Sequence, residues 1–183
     1  MAEKTIKDAI KEMMQIISKK IPDEHKRYPV DLFIAGGIAV NYYTASRMSK
    51  DIDAIISRRV EIPANLSVIW FNDKGEISEL KYDHHYTPTL GIMHENYRSR
   101  AYLQYAIDDK LNVYVLSPED LIISKLVRFG EQDQEDIKAL IDNDLVDKEM
   151  LEVLAKEAIN DAIGVRVKTL ELNLELTLEM FES

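Results

Sequence analysis

The sequence contains no cysteine, which excludes a disulfide framework and thiolate metal sites and leaves His, Asp and Glu as the side chains able to bind a metal. That favours hard cations held by oxygen. No run of about 18 apolar residues occurs, and no basic leader precedes an apolar segment, so neither a membrane span nor a secretory signal is expected. A cytoplasmic protein is the expectation. Positive charge is the scarcer sign: 23 Lys and Arg stand against 33 Asp and Glu, a net charge of -10. Such a chain does not coat nucleic acid through its global field, because a phosphate backbone is attracted by clustered Lys and Arg. Lys19, Lys20, Lys26 and Arg27, and separately Arg58 and Arg59, form short basic groups, of the kind usually found on solvated surface. Internal repeats and low-complexity segments are also missing. What is present is 183 residues, 46% hydrophobic and 31% charged, an ordinary globular composition with enough chain for one substantial core or an α/β domain with a helical extension.

Ile6, Ile10, Met13 and Ile17 recur at helical spacing in "TIKDAIKEMMQIISKK", which predicts an amphipathic helix. A proline-bounded loop leads into the short apolar run "VDLFIA", expected to be a strand. Two glycines follow, then "IAVNYYTAS", expected as about two helical turns, and the strand "DIDAIIS". "NLSVIWF" and "EISELKY" flank a turn at Asn72 to Gly75 and read as a hairpin. "DHHYTPTLGIMHENYRSRA" is irregular, after which "AYLQYAI" and "LNVYVLS" suggest two more strands around Asp108 to Lys110. In "SPEDLIISKLVRFG", Ser117 suits an N-cap, Pro118 the first helical position and Gly130 the position just past the end. A further helix is expected to start near Asp133, and the remainder fits two helices broken near Gly164. "LELNLELTLEM" alternates with period two, but Leu and Glu favour helix. The expected fold is α+β: a mixed sheet of about five or six strands flanked by helices. Residues 1–116 would form the core with its N-terminal helix, and residues 117–183 a C-terminal helical part.

Strand side chains alternate, so Asp51 and Asp53 would share one face while Ile52 and Ala54 share the other, with the two acids about 6 to 7 Å apart at the backbone. Unneutralised, such neighbours repel. A divalent cation removes that difficulty, and Mg²⁺ suits a site of few carboxylates completed by waters and substrate phosphates. The plainer reading is that Asp51 caps a strand end and Asp53 faces solvent. Gly36 and Gly37 bear on the choice, because glycines between a strand and a helix let backbone N–H groups approach phosphate at a helix N-terminus. Gly-x-Gly-x-x-Gly and the Walker loop are both absent, so dinucleotide and Walker-type readings fail. The informative feature is the joint spacing of Gly36-Gly37, thirteen residues, then Asp51-Ile52-Asp53-Ala54.

On "IAGGIAVNYYTASRMSKDIDAII" and again on "LSPEDLIISKLVRFGEQDQEDIKALI", the chain resembles the DNA polymerase β-like nucleotidyltransferase superfamily. More narrowly it looks like the abortive-infection (AbiEii), toxin-type nucleotidyltransferases. The resemblance runs from Val30 to about Leu145. It implies transfer of a nucleoside monophosphate from an NTP to an acceptor, with Mg²⁺ held by Asp51 and Asp53 and the triphosphate at Gly36 and Gly37. A third acid from a later strand, which would help activate the acceptor and complete one metal site, is implied as well; Asp83 fits that place best, Glu95 is its rival, and Gln104 stands where another strand offers no acid. Lys125 would reach the triphosphate or, as an alternative, snorkel at the surface. Asp133 and Asp136 match a following acid motif and also suit helix capping, the safer reading for Asp133. Arg47 would hold phosphate or, ranked first, order its loop. His84, His85 and His94 lack the spacing of a zinc site. Implied partners are an NTP, an unidentified acceptor for which RNA or protein is a candidate, and a cognate antitoxin from a bacterial two-gene module, with no membrane. The rival readings are a catalytically inactive NTP-binding or protein-interaction module, and a structural helical partner.

Overall fold

The computed structural model describes residues 4–46, 48–72, 74–87, 91–162 and 166–182. It is a mixed α+β fold in which the first helix is α1 (Ile6–Ser18). Thr5 caps it by accepting from the Asp8 N–H while Asp8 accepts from the Thr5 N–H, a reciprocal capping box. Strand β1 (Val30–Ala35) runs directly into α2 (Gly36–Thr44), and β2 (Asp51–Ile56) follows. Then come β3 (Ser67–Phe71) and β4 (Ile77–Tyr82), the short helix α3 (Tyr97–Arg100), β5 (Tyr102–Ile107) and β6 (Leu111–Val115). Helices α4 (Pro118–Lys125), α5 (Glu131–Asp142), α6 (Lys148–Asn160) and α7 (Val167–Glu179) complete the chain.

The chain folds as two compact units. The first comprises Met1–Ile38, Met48–Tyr86 and Tyr102–Val115, and holds all six strands in the order β3-β4-β2-β1-β6-β5. β1 is antiparallel to β2 and parallel to β6, β2 is parallel to β4, and the two outer pairs are antiparallel. Alternation sorts the faces. Leu32, Ile34, Ile52, Ala54, Val68, Trp70 and Leu80 are buried on one of them, and the apolar stripe of α1, with Met13, Met14 and Ile17 fully enclosed, packs against the sheet. Removing each such side chain from water contributes about 1.5–3 kcal/mol. The opposite face of the β3–β4 hairpin is open, leaving Ile69, Phe71 and Ile77 exposed.

The second unit comprises Ala39–Arg47, Thr87–Ala101 and Leu116–Ser183. Ser117 is the N-cap of α4 with Pro118 in its first turn, as the sequence predicts. α4 stops at Lys125, earlier than expected, and Phe129 takes a left-handed φ of 45°. Gly130 therefore does not close α4; it is the N-cap of α5, which starts at Glu131 with Asp133 at its third position. The last described helix, α7, is helical despite its alternating sequence, burying Leu170, Asn173, Leu174 and Thr177 on one face. Gly164, proposed as a helix break, lies outside the described residues. No helix among the described residues is long and apolar enough to cross a membrane.

Candidate active site

β1 ends at Ala35, whose cross-strand partner is Asp53 on β2. The next residue, Gly36, has a φ of +60° and opens α2. That backbone conformation strains any L side chain. Space forbids one as well: a Cβ built on Gly36 would overlap Oδ2 of Asp53 and lie 2.7 Å from its Cγ. The Asp53 carboxylate thus rests against bare backbone where the strand turns into the helix. The expected proximity of the glycine turn to the acids is a contact made by Gly36 itself. At an α-helix N-terminus the first N–H groups lack intrahelical partners and carry the positive end of the helix dipole, which suits an anion beside Gly37.

Asp51 and Asp53 occupy alternate positions of β2, Asp51 exposed and Asp53 half-buried, while Ile52 between them is fully buried. On the far side of β2 from β1 lies β4. The parallel register pairs Asp51 with Lys81 and Ile52 with Tyr82, and the Asp83 N–H continues the ladder by donating to the Ile52 carbonyl at 3.0 Å. The backbone therefore sets Asp83 beside Asp53. Its carboxylate accepts from the His85 N–H at 2.7 Å. Burial, then the Asp83 charge, pushes the neighbouring Tyr82 phenol up to about 12, so it stays protonated there at neutral pH. Glu95, the rival third acid, belongs to the second unit and accepts from the Asn96 amide at 3.1 Å. Among the described residues no group of three or more His, Asp or Glu side chains is arranged to hold a metal ion by itself. Arg47 lies outside the described residues.

In the second unit Lys125 is neither at the surface nor snorkelling. Its side chain is 5% exposed, and the ammonium donates to Asp136 Oδ2 at 2.6 Å and to Asp133 Oδ1 at 3.3 Å. Arg128 completes the cluster with a two-pronged contact to Asp133 at 2.6 and 2.7 Å. Asp133 also accepts from the Gly130 N–H, so its capping role holds from the third helical position instead of the N-cap. Burial would raise the Asp133 pKa, but the Arg128 hydrogen bonds, the Lys125 and Arg128 charges and the Gly130 N–H outweigh it and hold the group below the ordinary aspartate value. A second buried pair went unnoticed in the sequence. Asp120, fully enclosed, takes Arg100 at 3.0 and 2.7 Å together with the Ser117 hydroxyl at 2.8 Å. Its only sequence signal is the first-turn acid of "SPED", which reads as ordinary capping. His94 is structural: its Nδ1 accepts from the Asn96 N–H, which leaves the proton on Nε2 for Glu157 at 2.7 Å.

A glycine turn whose backbone is in contact with the second acid of an Asp-x-Asp strand, with a further acid on the neighbouring parallel strand, is an arrangement that can seat a phosphate chain against carboxylates. No curated protein and no solved structure matches the chain significantly. A family model described as "Nucleotidyltransferase of unknown function (DUF6036)" matches residues 7–177, nearly the whole sequence, and the chain belongs to that nucleotidyltransferase family.

Proposed function

We propose that the protein transfers a nucleoside monophosphate from an NTP to a hydroxyl acceptor, with Gly36, Gly37, Asp51, Asp53 and Asp83 as its working residues. The observation that carries this reading is the contact between the Asp53 carboxylate and the Gly36 backbone at the start of α2. The donor set fits Mg²⁺: two carboxylates on one strand face, no thiol, and coordination left for phosphate oxygens and water, which is how Mg²⁺ is ordinarily held. Asp51 and Asp53 would hold it, and when bound it neutralises the triphosphate during in-line displacement.

The chain's own groups do the rest. Backbone N–H groups at Gly37 and the start of α2 bind and orient the phosphates. The absence of a side chain at Gly36 lets the Asp53 carboxylate sit against the start of α2, next to where the phosphates would bind. Asp83 is the group in this reading that takes the acceptor's proton, after releasing the His85 N–H. Within the family the motifs favour the abortive-infection, toxin-like type, cytoplasmic, with RNA or protein as acceptor and a cognate antitoxin as partner. Arg47 would order its loop or hold phosphate.

The test is incubation with each labelled NTP, Mg²⁺ and total cellular RNA or lysate. Label transfer is expected, with a loss of about a hundredfold or more in Asp53→Ala. Absence of both transfer and Mg²⁺-dependent NTP binding overturns the reading. A second reading, an NTP-binding module without catalysis, is favoured by one observation: no third carboxylate is gathered with Asp51 and Asp53 into a metal-holding group among the described residues. NTP binding without transfer would support it.

A further inference from the structure

Two basic pairs that are separate in the sequence, Lys26-Arg27 and Arg58-Arg59, are brought to one end of the first unit's sheet. The Ser57 N–H donates to the Asp31 carbonyl at 2.8 Å, and the Asp31 N–H donates to the Ser57 hydroxyl at 2.9 Å. These bonds continue the antiparallel register in which Leu32 faces Ile56. They carry Arg58 and Arg59 to the level of Val30 and Pro29, which Tyr28 directly precedes. Four residues of β2 separate Ser57 from Asp53, about 13 Å of strand, so this end of the sheet lies apart from the candidate site.

The segment before Tyr28 sorts its charges. Asp23–Arg27 is a short 3₁₀ helix with Asp23 and Glu24 at its front and His25, Lys26 and Arg27 at its back. Asp23 is engaged by Lys110 at 3.2 Å and by Lys26 at 3.5 Å, and the Asp31 carboxylate accepts from the Asn112 amide at 3.0 Å. Glu24 and Glu61 are exposed, and among the described residues neither pairs with Arg27, Arg58 or Arg59. Elsewhere Arg100 and Arg128 are gripped by Asp120 and Asp133. Acids outnumber bases 33 to 23, yet these three exposed guanidiniums are left without one, open to an anion from outside.

An aromatic ring stands among them. Tyr28 is 60% exposed, and its φ of −140° is the extended backbone favoured before a proline. The Arg27 guanidinium lies 5.7 Å from the centroid of its ring, within cation–π range. Guanidiniums match phosphate in geometry as well as charge, and an exposed ring offers a stacking platform. A ligand that satisfies both carries phosphates and flat rings in alternation. Unpaired nucleotides do. A duplex turns its base faces inward, and inorganic phosphate has no ring.

We propose that Arg27, Tyr28, Arg58 and Arg59 form a binding surface for single-stranded nucleic acid, with one base stacked on Tyr28 and the adjoining phosphates held by the three arginines. The surface is argued without the transferase reading and stands or falls separately from it. The net charge of -10 keeps the rest of the chain from coating a polyanion, so binding is confined to this end and weakens with salt. Three phosphates engaged on a single strand give a slope of log K against log salt of about −2.

The test is fluorescence anisotropy of a short labelled oligoadenylate RNA titrated with the full chain over a series of salt concentrations. Unlabelled duplex of the same length and inorganic polyphosphate of the same charge serve as competitors. The single strand is expected to bind about tenfold or more tightly than either, the worth of a stacked base. Tyr28→Ala should weaken binding by a similar factor and leave the salt slope unchanged, while Tyr28→Phe keeps the wild-type affinity. Arg58→Gln combined with Arg59→Gln should reduce the slope by about 1.4, two phosphate contacts at roughly 0.7 each. Mg²⁺-dependent NTP binding should stay at the wild-type value in all of these variants. No saturable binding at low salt, equal competition by duplex or polyphosphate, or wild-type affinity in Tyr28→Ala and in the double arginine variant overturns the proposal. Absence of NTP binding and transfer, with single-strand binding intact, overturns the transferase reading and leaves this surface standing.

Discussion

The two units treat the same side chain in opposite ways. In the second, Asp120, Asp133 and Asp136 are at most 1% exposed, and each is met by a fixed cation, Arg100, Arg128 or Lys125. In the first, Asp51 is exposed and Asp53 half-buried, with Asp53 pressed against a glycine backbone. A buried carboxylate without a partner costs several kcal/mol, so acids that serve the fold carry their cations permanently. Asp51, in contrast, is open to solvent. The contrast separates fully enclosed, cation-paired carboxylates from accessible ones without reference to any motif.

The largest effect that would break this comparison is on stability. Lys125→Met leaves Asp133 and Asp136 buried beside one fewer cation, and should lower the unfolding free energy by about 3–5 kcal/mol in urea titration. Asp53→Asn, measured alongside, should leave stability unchanged or raise it, because it removes one of two like charges, while transfer is lost. A matching loss in both variants would show that the acids of both units serve the fold.

A smaller effect is the acid limb of the stability curve. The folded Asp133 pKa lies below the ordinary value of 3.8. Its contribution is therefore complete above pH 3.8 and is lost as the pH falls from there through the folded value. Urea midpoints measured from pH 5 downward should decline in the wild-type chain and decline less steeply in Asp133→Asn. An identical slope in the two would remove Asp133 from the account. The smallest effect belongs to the surface. Lys156 and Glu152 form an i,i+4 pair at 2.5 Å with both side chains largely exposed, and Lys156→Gln should leave the thermal midpoint unchanged within error, as is usual for exposed pairs.

Much of this was legible in the chain itself. The alternation of Asp51, Ile52, Asp53 and Ala54 fixed which side chains share a face, because a strand has a period of two. Ser117 and Pro118 marked the start of α4, because capping chemistry is local. Asp133 was harder. Capping chemistry predicted its contact with backbone, but its place at the third position followed from the early end of α4 at Lys125, which local propensity does not announce. The enclosure of Lys125 was out of reach for a related reason. Periodicity sets a residue on an edge of a helix, and only packing decides whether that edge is enclosed and by which charges.

The sequence by itself determined the order of elements, the glycine turn and the paired acids, since these rest on backbone conformation and side-chain periodicity within a few residues. Only the tertiary structure decided that Gly36 must lack a side chain because Asp53 lies against it, that Asp83 stands beside Asp53, and that Arg58 and Arg59 are carried to the start of β1. Those facts are matters of strand order and register, set by which strands pair across long stretches of chain, and no local pattern encodes them.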